Sequence, residues 1–273
     1  MIVQWWLLLI LGLAVGTLGS LIGVGGGFIL VPVLIFLMPK ADPVQITAIS
    51  LAVVFLSATS GSIAFVRMKR VDFKTASWFA LATLPGAILG ANSTKWFPRQ
   101  QFNIVFGTLL LIASLYLFFR PERTKDSNKE PSPNHTRREI TDAAGTTHVY
   151  HFSMPVGFGV SLLVGYVSSL LGIGGGIIHV PVLNRTLNFP VHIATATSQV
   201  ILGCMALAGT VVHFVQGHLT GLYETVAVLG IGAIIGSQVG AHLSNFIKGS
   251  GIIRALAIAL GVVGIRIVLM TSK

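Results

Sequence analysis

Ser20-Leu-Ile-Gly-Val-Gly-Gly-Gly-Phe-Ile-Leu-Val-Pro-Val-Leu34 recurs as Ser169-Leu-Leu-Gly-Ile-Gly-Gly-Gly-Ile-Ile-His-Val-Pro-Val-Leu183, 149 residues further along the chain. The register persists downstream with small gaps. Thr47, Ser50 and Gly61 face Thr195, Ser198 and Gly209, and Gly86-Ala-Ile-Leu-Gly90 faces Gly232-Ala-Ile-Ile-Gly236. Self-similarity at a fixed period makes each half one structural unit. The repeated segment also falls inside an apolar run too long to be one straight helix. Trp5 to Leu37 would extend about 50 Å at about 1.5 Å per residue, against a hydrocarbon thickness of about 30 Å. Gly23 to Gly27 is the natural place for a break, and Pro32 removes a further internal hydrogen bond. The same reasoning applies to Gly172 to Gly176 and Pro181.

The solvent follows from composition. Apolar residues make up 53% of the 273 residues and charged ones 10%, with a mean hydropathy of +0.83; a soluble domain carries about a quarter charged residues. Runs near the roughly 20 residues of a spanning helix recur at 43–66, 76–94, 102–119, 155–171, 191–215, 222–246 and 252–269. The fold class is therefore an all-α polytopic membrane protein, since transmembrane strands are shorter and alternate polar with apolar. Two repeats of about four to five membrane segments each are expected, the first segment of each broken at its glycines. The opening run from Trp5 to Ile22 reads as a membrane helix, because Met1 to Gln4 lacks a basic residue and no small-residue cleavage site follows.

The chain divides into repeat 1 (1–119), a polar linker (120–152) and repeat 2 (153–273). Arg120 to His151 is rich in Pro, Ser, Asn and mixed charge, with too little apolar content to order itself well, and it reads as cytoplasmic. Arg67, Lys69, Arg70 and Lys74 form the clearest short-loop basic cluster, which sets that loop inside. The net charge of +10 is then positive-inside anchoring rather than a nucleic-acid surface. Arg185, Lys248 and Arg254 fall inside only if the second half is inverted, so the tally favours inverted-topology repeats in a bacterial-type inner membrane. The parity depends on how each glycine-rich segment is threaded.

Non-helical backbone at membrane depth is tolerated where it is buried in protein or lines a wet cavity. Two symmetry-related breaks suggest one cavity between the repeats, with free N–H groups and positive helix N-termini turned towards an anion. The glycines Gly25, Gly26, Gly27, Gly174, Gly175 and Gly176 are the binding candidates. The competing explanation is close helix packing through small residues. Neither run is a nucleotide fingerprint: Phe28 and Ile177 occupy the third-glycine position, and no lysine follows.

The paired Gly-x-Gly-Gly-Gly-x-x-x-Val-Pro-x-Leu segments, Gly23 to Leu34 and Gly172 to Leu183, resemble the sulfite exporter TauE/SafE family, also called the toluenesulfonate uptake permeases. The Thr/Ser-rich helix after each motif fits as well, and the resemblance covers nearly the whole chain outside the linker. It implies transport of sulfite, sulfonates or related small organosulfur anions, with no cofactor.

Among polar residues, Thr47 and Ser50 in the first repeat and Thr195, Thr197, Ser198 and Gln199 in the second could replace water around such an anion, or could simply hydrogen-bond helix to helix. Asn92 and Gln238 follow Gly90 and Gly236 at matching positions and suggest paired cavity amides. His179 stands where the first repeat has Leu30. It is a candidate for coupling transport to protons, or else a core imidazole bonded to a carbonyl. His192, His213 and His218 read as interfacial, while His242 and Glu224 depend on helix boundaries. No catalytic or metal-binding constellation is legible, and no oligomeric state. The expected function is a secondary carrier working by alternating access at a midplane site. An anion channel, or a membrane subunit docking a soluble partner through the linker, stands as the alternative.

Overall fold

The computed structural model describes residues 4–119, 135–244, 246 and 250–271. Among the described residues ten α-helices form in the order α1 Trp5–Ile22, α2 Gly27–Leu37, α3 Pro43–Arg67, α4 Phe73–Ser93, α5 Arg99–Phe118, α6 Met154–Leu171, α7 Gly176–Arg185, α8 Val191–Val215, α9 Tyr223–Leu243 and α10 Ser250–Thr271. By length and composition α1, α3, α6, α8 and α9 can each cross a bilayer. The protein is thus an all-α membrane bundle with one small addition, a β-hairpin of β1 Thr136–Thr141 and β2 Thr147–Phe152 between α5 and α6.

At the centre lie α3 and α8, each 25 residues long. They are antiparallel: Gly61 faces Gln199, Gly203 faces Thr59, and Gly209 faces Leu51. Flanking pairs follow the same pseudo-symmetry. α1 runs parallel to α9, with Gly12 against Leu229 and Gly16 against Ala233, and α4 runs parallel to α6, with Gly86 against Leu162 and Gly90 against Tyr166. α5 and α10 are antiparallel, as Gly107 meets Gly264 and the Ser114 hydroxyl donates to the Ala257 carbonyl at 2.6 Å.

Glycines four apart explain the closeness of these seams. In a bilayer, helices gain little from excluding lipid, so small residues that let backbones touch carry the association. A Cβ at Gly236 or Gly240 would strike the carbonyl oxygens of Leu13 or Thr17. Gly236→Leu is accordingly expected to cost about 3 kcal/mol or more by overpacking, read as a lowered melting temperature of the purified protein in detergent.

The broken segments fold back on themselves. Gly26, at the start of α2, packs on Val15 of α1, and Arg99 at the head of α5 donates to the carbonyls of Ala41 and Ile35 beyond and near the end of α2. α1 and α2 together therefore enter and leave at one end of the bundle. Three full-length helices follow in each half, so each half finishes at the opposite end from its start. The ends are referred to below as the basic end, with Arg67 to Lys74, and the far end, with Pro43 and Val215.

The hairpin corrects the expectation that the polar linker is poorly ordered; residues 120–134 of that linker lie outside the described ones. Its strands alternate, and Ile140, His148, Tyr150 and Phe152 point to one face. Tyr150 and Phe152 pack on Phe189 with ring centroids 4.4 and 5.1 Å apart, and Phe152 meets Phe79 edge-on. The hairpin thus sits on the basic end, over the α3–α4 turn and the start of α8. Its turn is closed by Asp142, whose carboxylate accepts from the amides of Ala144 and Thr146, both at 3.0 Å. Burial pushes that carboxyl up, but the Thr146 amide, His148, the Ala144 amide and the Arg70 charge together hold it below its ordinary value.

Candidate functional site

Each break begins with a left-handed glycine that closes the preceding helix. Gly23 has φ 79°, and the Val24 amide behind it donates to the Gly19 carbonyl at 2.7 Å. Gly25 and Gly26 are left-handed too, as are Gly172, Gly174 and Gly175 in the second copy. A residue with a Cβ would pay roughly 1–2 kcal/mol at each such position, so these glycines are required by the reversal itself.

The two breaks meet. A Cβ on Gly27 would lie 2.7 Å from the Gly172 carbonyl oxygen and from the backbone of Ile173, and one on Gly176 would lie 2.7 Å from the Gly23 carbonyl oxygen. Gly25 and Gly174 both face Val54 and Leu202, from the middles of α3 and α8. Those two side chains are at most 1% exposed, so the contact between the repeats is closed to bulk solvent in this conformation. Gly26 is packed against Val15 rather than facing open space. The N-caps of α2 and α7 are Gly26 and Gly175, neither of which offers a side chain to the first amides.

Polar residues are distributed around this contact. Thr195 touches Gly23, and Thr47 touches Gly172 by the same symmetry. The Ser50 hydroxyl donates to the Gly172 carbonyl at 2.6 Å, whereas its counterpart Ser198 is buried with no partner for its hydroxyl. Gln199 donates to the Ser20 hydroxyl at 2.9 Å and leaves its own oxygen unpaired. Ser168 and Ser169, just before the second break, are also buried without partners. Buried polar atoms are nearly always hydrogen-bonded, so this cluster of exceptions marks the neighbourhood of the second break.

Ser20, Ser168 and Ser169 were not singled out from the sequence, although Ser20 and Ser169 head the two repeated segments. The signal available was a comparison across the repeats. Ser20 and Gly61 meet Gln199, while Ser169 and Gly209 meet Leu51, and Leu51 and Gln199 are themselves equivalent positions.

Other candidates fall elsewhere. Asn92 and Gln238 are not brought together: Gln238 binds the Ser60 carbonyl at 2.6 Å in the basic half, and Asn92 accepts from Gln216 at the far end. Each ties its helix to the other repeat. Thr197 accepts from the Asp72 amide at 3.1 Å, just below the hairpin. His179 is buried, and its partner is the Ser161 hydroxyl at 3.2 Å rather than a carbonyl. Pro32 and Pro181 lie within α2 and α7 and do not themselves make the reversals.

At the far end a cavity of about 530 Å³ opens among Asp42, Gln45, Lys95, Arg99, His218 and Thr220. Asp42 is the N-cap of α3, and the Lys95 and Arg99 charges face its carboxylate across the cavity lining. Burial, and then the neighbouring Lys95 ammonium, hold the His218 imidazole below its ordinary pKa.

Comparison with known proteins agrees with a membrane transporter. The family model described as "Sulfite exporter TauE/SafE" matches residues 8–267. The chain is 32% identical to "Probable membrane transporter protein YunE" of Bacillus subtilis (strain 168), over 96% of each. It is 24% identical to "Probable membrane transporter protein MJ0441" of Methanocaldococcus jannaschii, over 95% of this chain and 93% of that one. No solved structure matches. The chain belongs to the sulfite exporter TauE/SafE family of membrane transporters.

Proposed function

We propose that the protein is a secondary transporter for a small organosulfur anion, of the sulfite or sulfonate type, exposing a midplane site alternately to the two sides of a bacterial-type inner membrane. The observation that carries this reading is the contact of the two glycine breaks with each other, Gly27 on Gly172 and Gly176 on Gly23. Broken helices whose N-termini lie at the midplane offer an anion backbone N–H groups and the positive helix ends. The unpaired hydroxyls of Ser168, Ser169 and Ser198 add donors without fixing a full counter-charge, which suits release as well as binding.

In this reading Arg67 to Lys74 lie in the cytoplasm. The antiparallel α3 and α8 then make the halves inverted repeats, each crossing three times after a re-entrant hairpin. The buried contact through Val54 and Leu202 is the closed barrier, and the cavity at the far end is the open side. Alternating access follows if the two repeats rock about the shared contact. Calorimetric titration of purified protein with sulfite, thiosulfate, sulfoacetate and an aromatic sulfonate tests the substrate class. Saturable binding of one of them is expected; no binding of any, with binding of an unrelated anion instead, would contradict it.

Protons are the proposed coupling ion, and His179 the proposed coupling group, because a titratable residue present in only one repeat breaks the symmetry of the pair. Its buried bond to Ser161 gives the imidazole a partner that can donate or accept, so either protonation state retains a hydrogen bond. His179→Gln should flatten the pH profile of transport while some anion affinity remains. An unchanged profile would leave His179 as a core residue.

A further inference from the structure

The hairpin has a counterpart at the far end, and the counterpart is empty space. α3 ends at Arg67 and α8 at Val215, and the turns that follow carry left-handed residues at matching places, Lys69 and Gly217. Arg70 therefore corresponds to His218, and the start of α8 corresponds to the start of α3. At the far end these equivalents, with Gln45 and His218 among them, line the open cavity of about 530 Å³. At the basic end the same surface is covered by β1 and β2.

The cover is held by specific contacts. The Tyr150 hydroxyl donates to the Asp72 carboxylate at 2.7 Å, and Arg138 approaches the same oxygen at 3.6 Å. Burial and the adjacent Asp72 charge push the Tyr150 phenol above its ordinary pKa, so it remains a donor. On the other flank Asp142 is 4.0 Å from Arg70, and the Ala143 amide donates to the Met68 carbonyl at 3.0 Å. Beneath this clasp the Asp72 amide donates to Thr197, adjacent to Ser198 and Gln199. The clasp joins these polar contacts to the aromatic packing of Tyr150 and Phe152 on Phe189, at the end of the bundle. Lifting the hairpin exchanges a few polar contacts for water and uncovers one small aromatic face.

We propose that the β-hairpin is a movable plug in the basic-end mouth of the pathway, so that opening towards that side requires Tyr150 and Arg138 to leave Asp72. This rests on the transport reading for its purpose, but its movement is measurable without any substrate. Ala194 is fully buried in the cluster that includes Tyr150, Phe152 and Phe189. In full-length protein lacking the native thiol (Cys204→Ala) and carrying Ala194→Cys, in nanodiscs, the rate of reaction with a hydrophilic maleimide reports how often the hairpin lifts.

Adding Tyr150→Phe, which removes one hydrogen bond to a carboxylate and nothing else, should raise that rate about tenfold. In a separate protein, Met68→Cys with Ala143→Cys should form a disulfide that stops flux of the binding anion, and dithiothreitol should restore it. A labelling rate indifferent to Tyr150→Phe, or full flux with the disulfide closed, overturns the plug while leaving transport in place. Clasp-dependent labelling in a protein that moves no organosulfur anion supports the moving cover and sinks the transport reading.

Discussion

Gly27→Ala is expected to lower anion flux by about 100-fold while the protein still inserts and purifies normally. Gly27 is the first residue of α2 and has no left-handed φ, so alanine is conformationally acceptable there. The penalty is steric and local. The new methyl would sit 2.7 Å from the Gly172 oxygen and the Ile173 backbone, which are not the flexible ends of side chains. The two breaks must separate by several tenths of an ångström, and displacements approaching 1 Å at a reacting centre can cost about 10²-fold. Gly176→Ala should behave alike, because its Cβ would meet Gly23 and Val24 in the symmetric contact. Gly159→Ala, on α6 with no neighbour in reach of a Cβ, is the silent control. Uptake into proteoliposomes, normalised to inserted protein, measures all three.

Gln199→Leu should weaken anion binding about 10- to 100-fold with only a small loss of stability. The repeat itself supplies the reason that leucine fits: Leu51 fills the equivalent place, against Gly209 and Ser169, as Gln199 does against Gly61 and Ser20. Removing the bond to Ser20 should cost about 1 kcal/mol of stability, near the usual net worth of a hydrogen bond. Hydrogen bonds to charged groups are worth about 1.5–3 kcal/mol, which gives the expected loss of affinity. Calorimetric titration together with a melting curve separates the two effects. Unchanged affinity would place the anion away from Gln199.

The duplication, the helical membrane class and the positions of the breaks were legible because they are one-dimensional signals. Glycine runs, prolines and apolar lengths mean the same thing whatever lies next to them in space. The direction of the break was not legible. Whether Gly23 to Gly27 kinks a helix or reverses it depends on the φ of Gly23, Gly25 and Gly26, all left-handed here. The β-hairpin was missed because the composition of 120–134 dominated the whole stretch. Taken alone, Thr-His-Val-Tyr-His-Phe after Asp-Ala-Ala-Gly-Thr has the alternation and turn residues of a strand and hairpin.

Candidate polar residues were harder still. Thr195, Thr197, Ser198 and Gln199 look alike in sequence, yet Thr195 touches a break, Thr197 binds the α4 cap residue, and Ser198 is unpaired. Which of these four helical residues points where is a property of the partner helix. Asn92 and Gln238 show the same effect: they match in sequence, yet one bonds Gln216 at the far end and the other Ser60 in the basic half.

Counterflow tests the central claim most directly. Proteoliposomes containing the purified protein are loaded with an unlabelled sulfite or sulfonate, and uptake of the ³⁵S-labelled anion is followed. A carrier that alternates about the paired breaks predicts transient accumulation of label above its outside concentration, lost in Gly27→Ala. Label that only equilibrates, at a rate linear in concentration and unaffected by unlabelled anion inside, would contradict it.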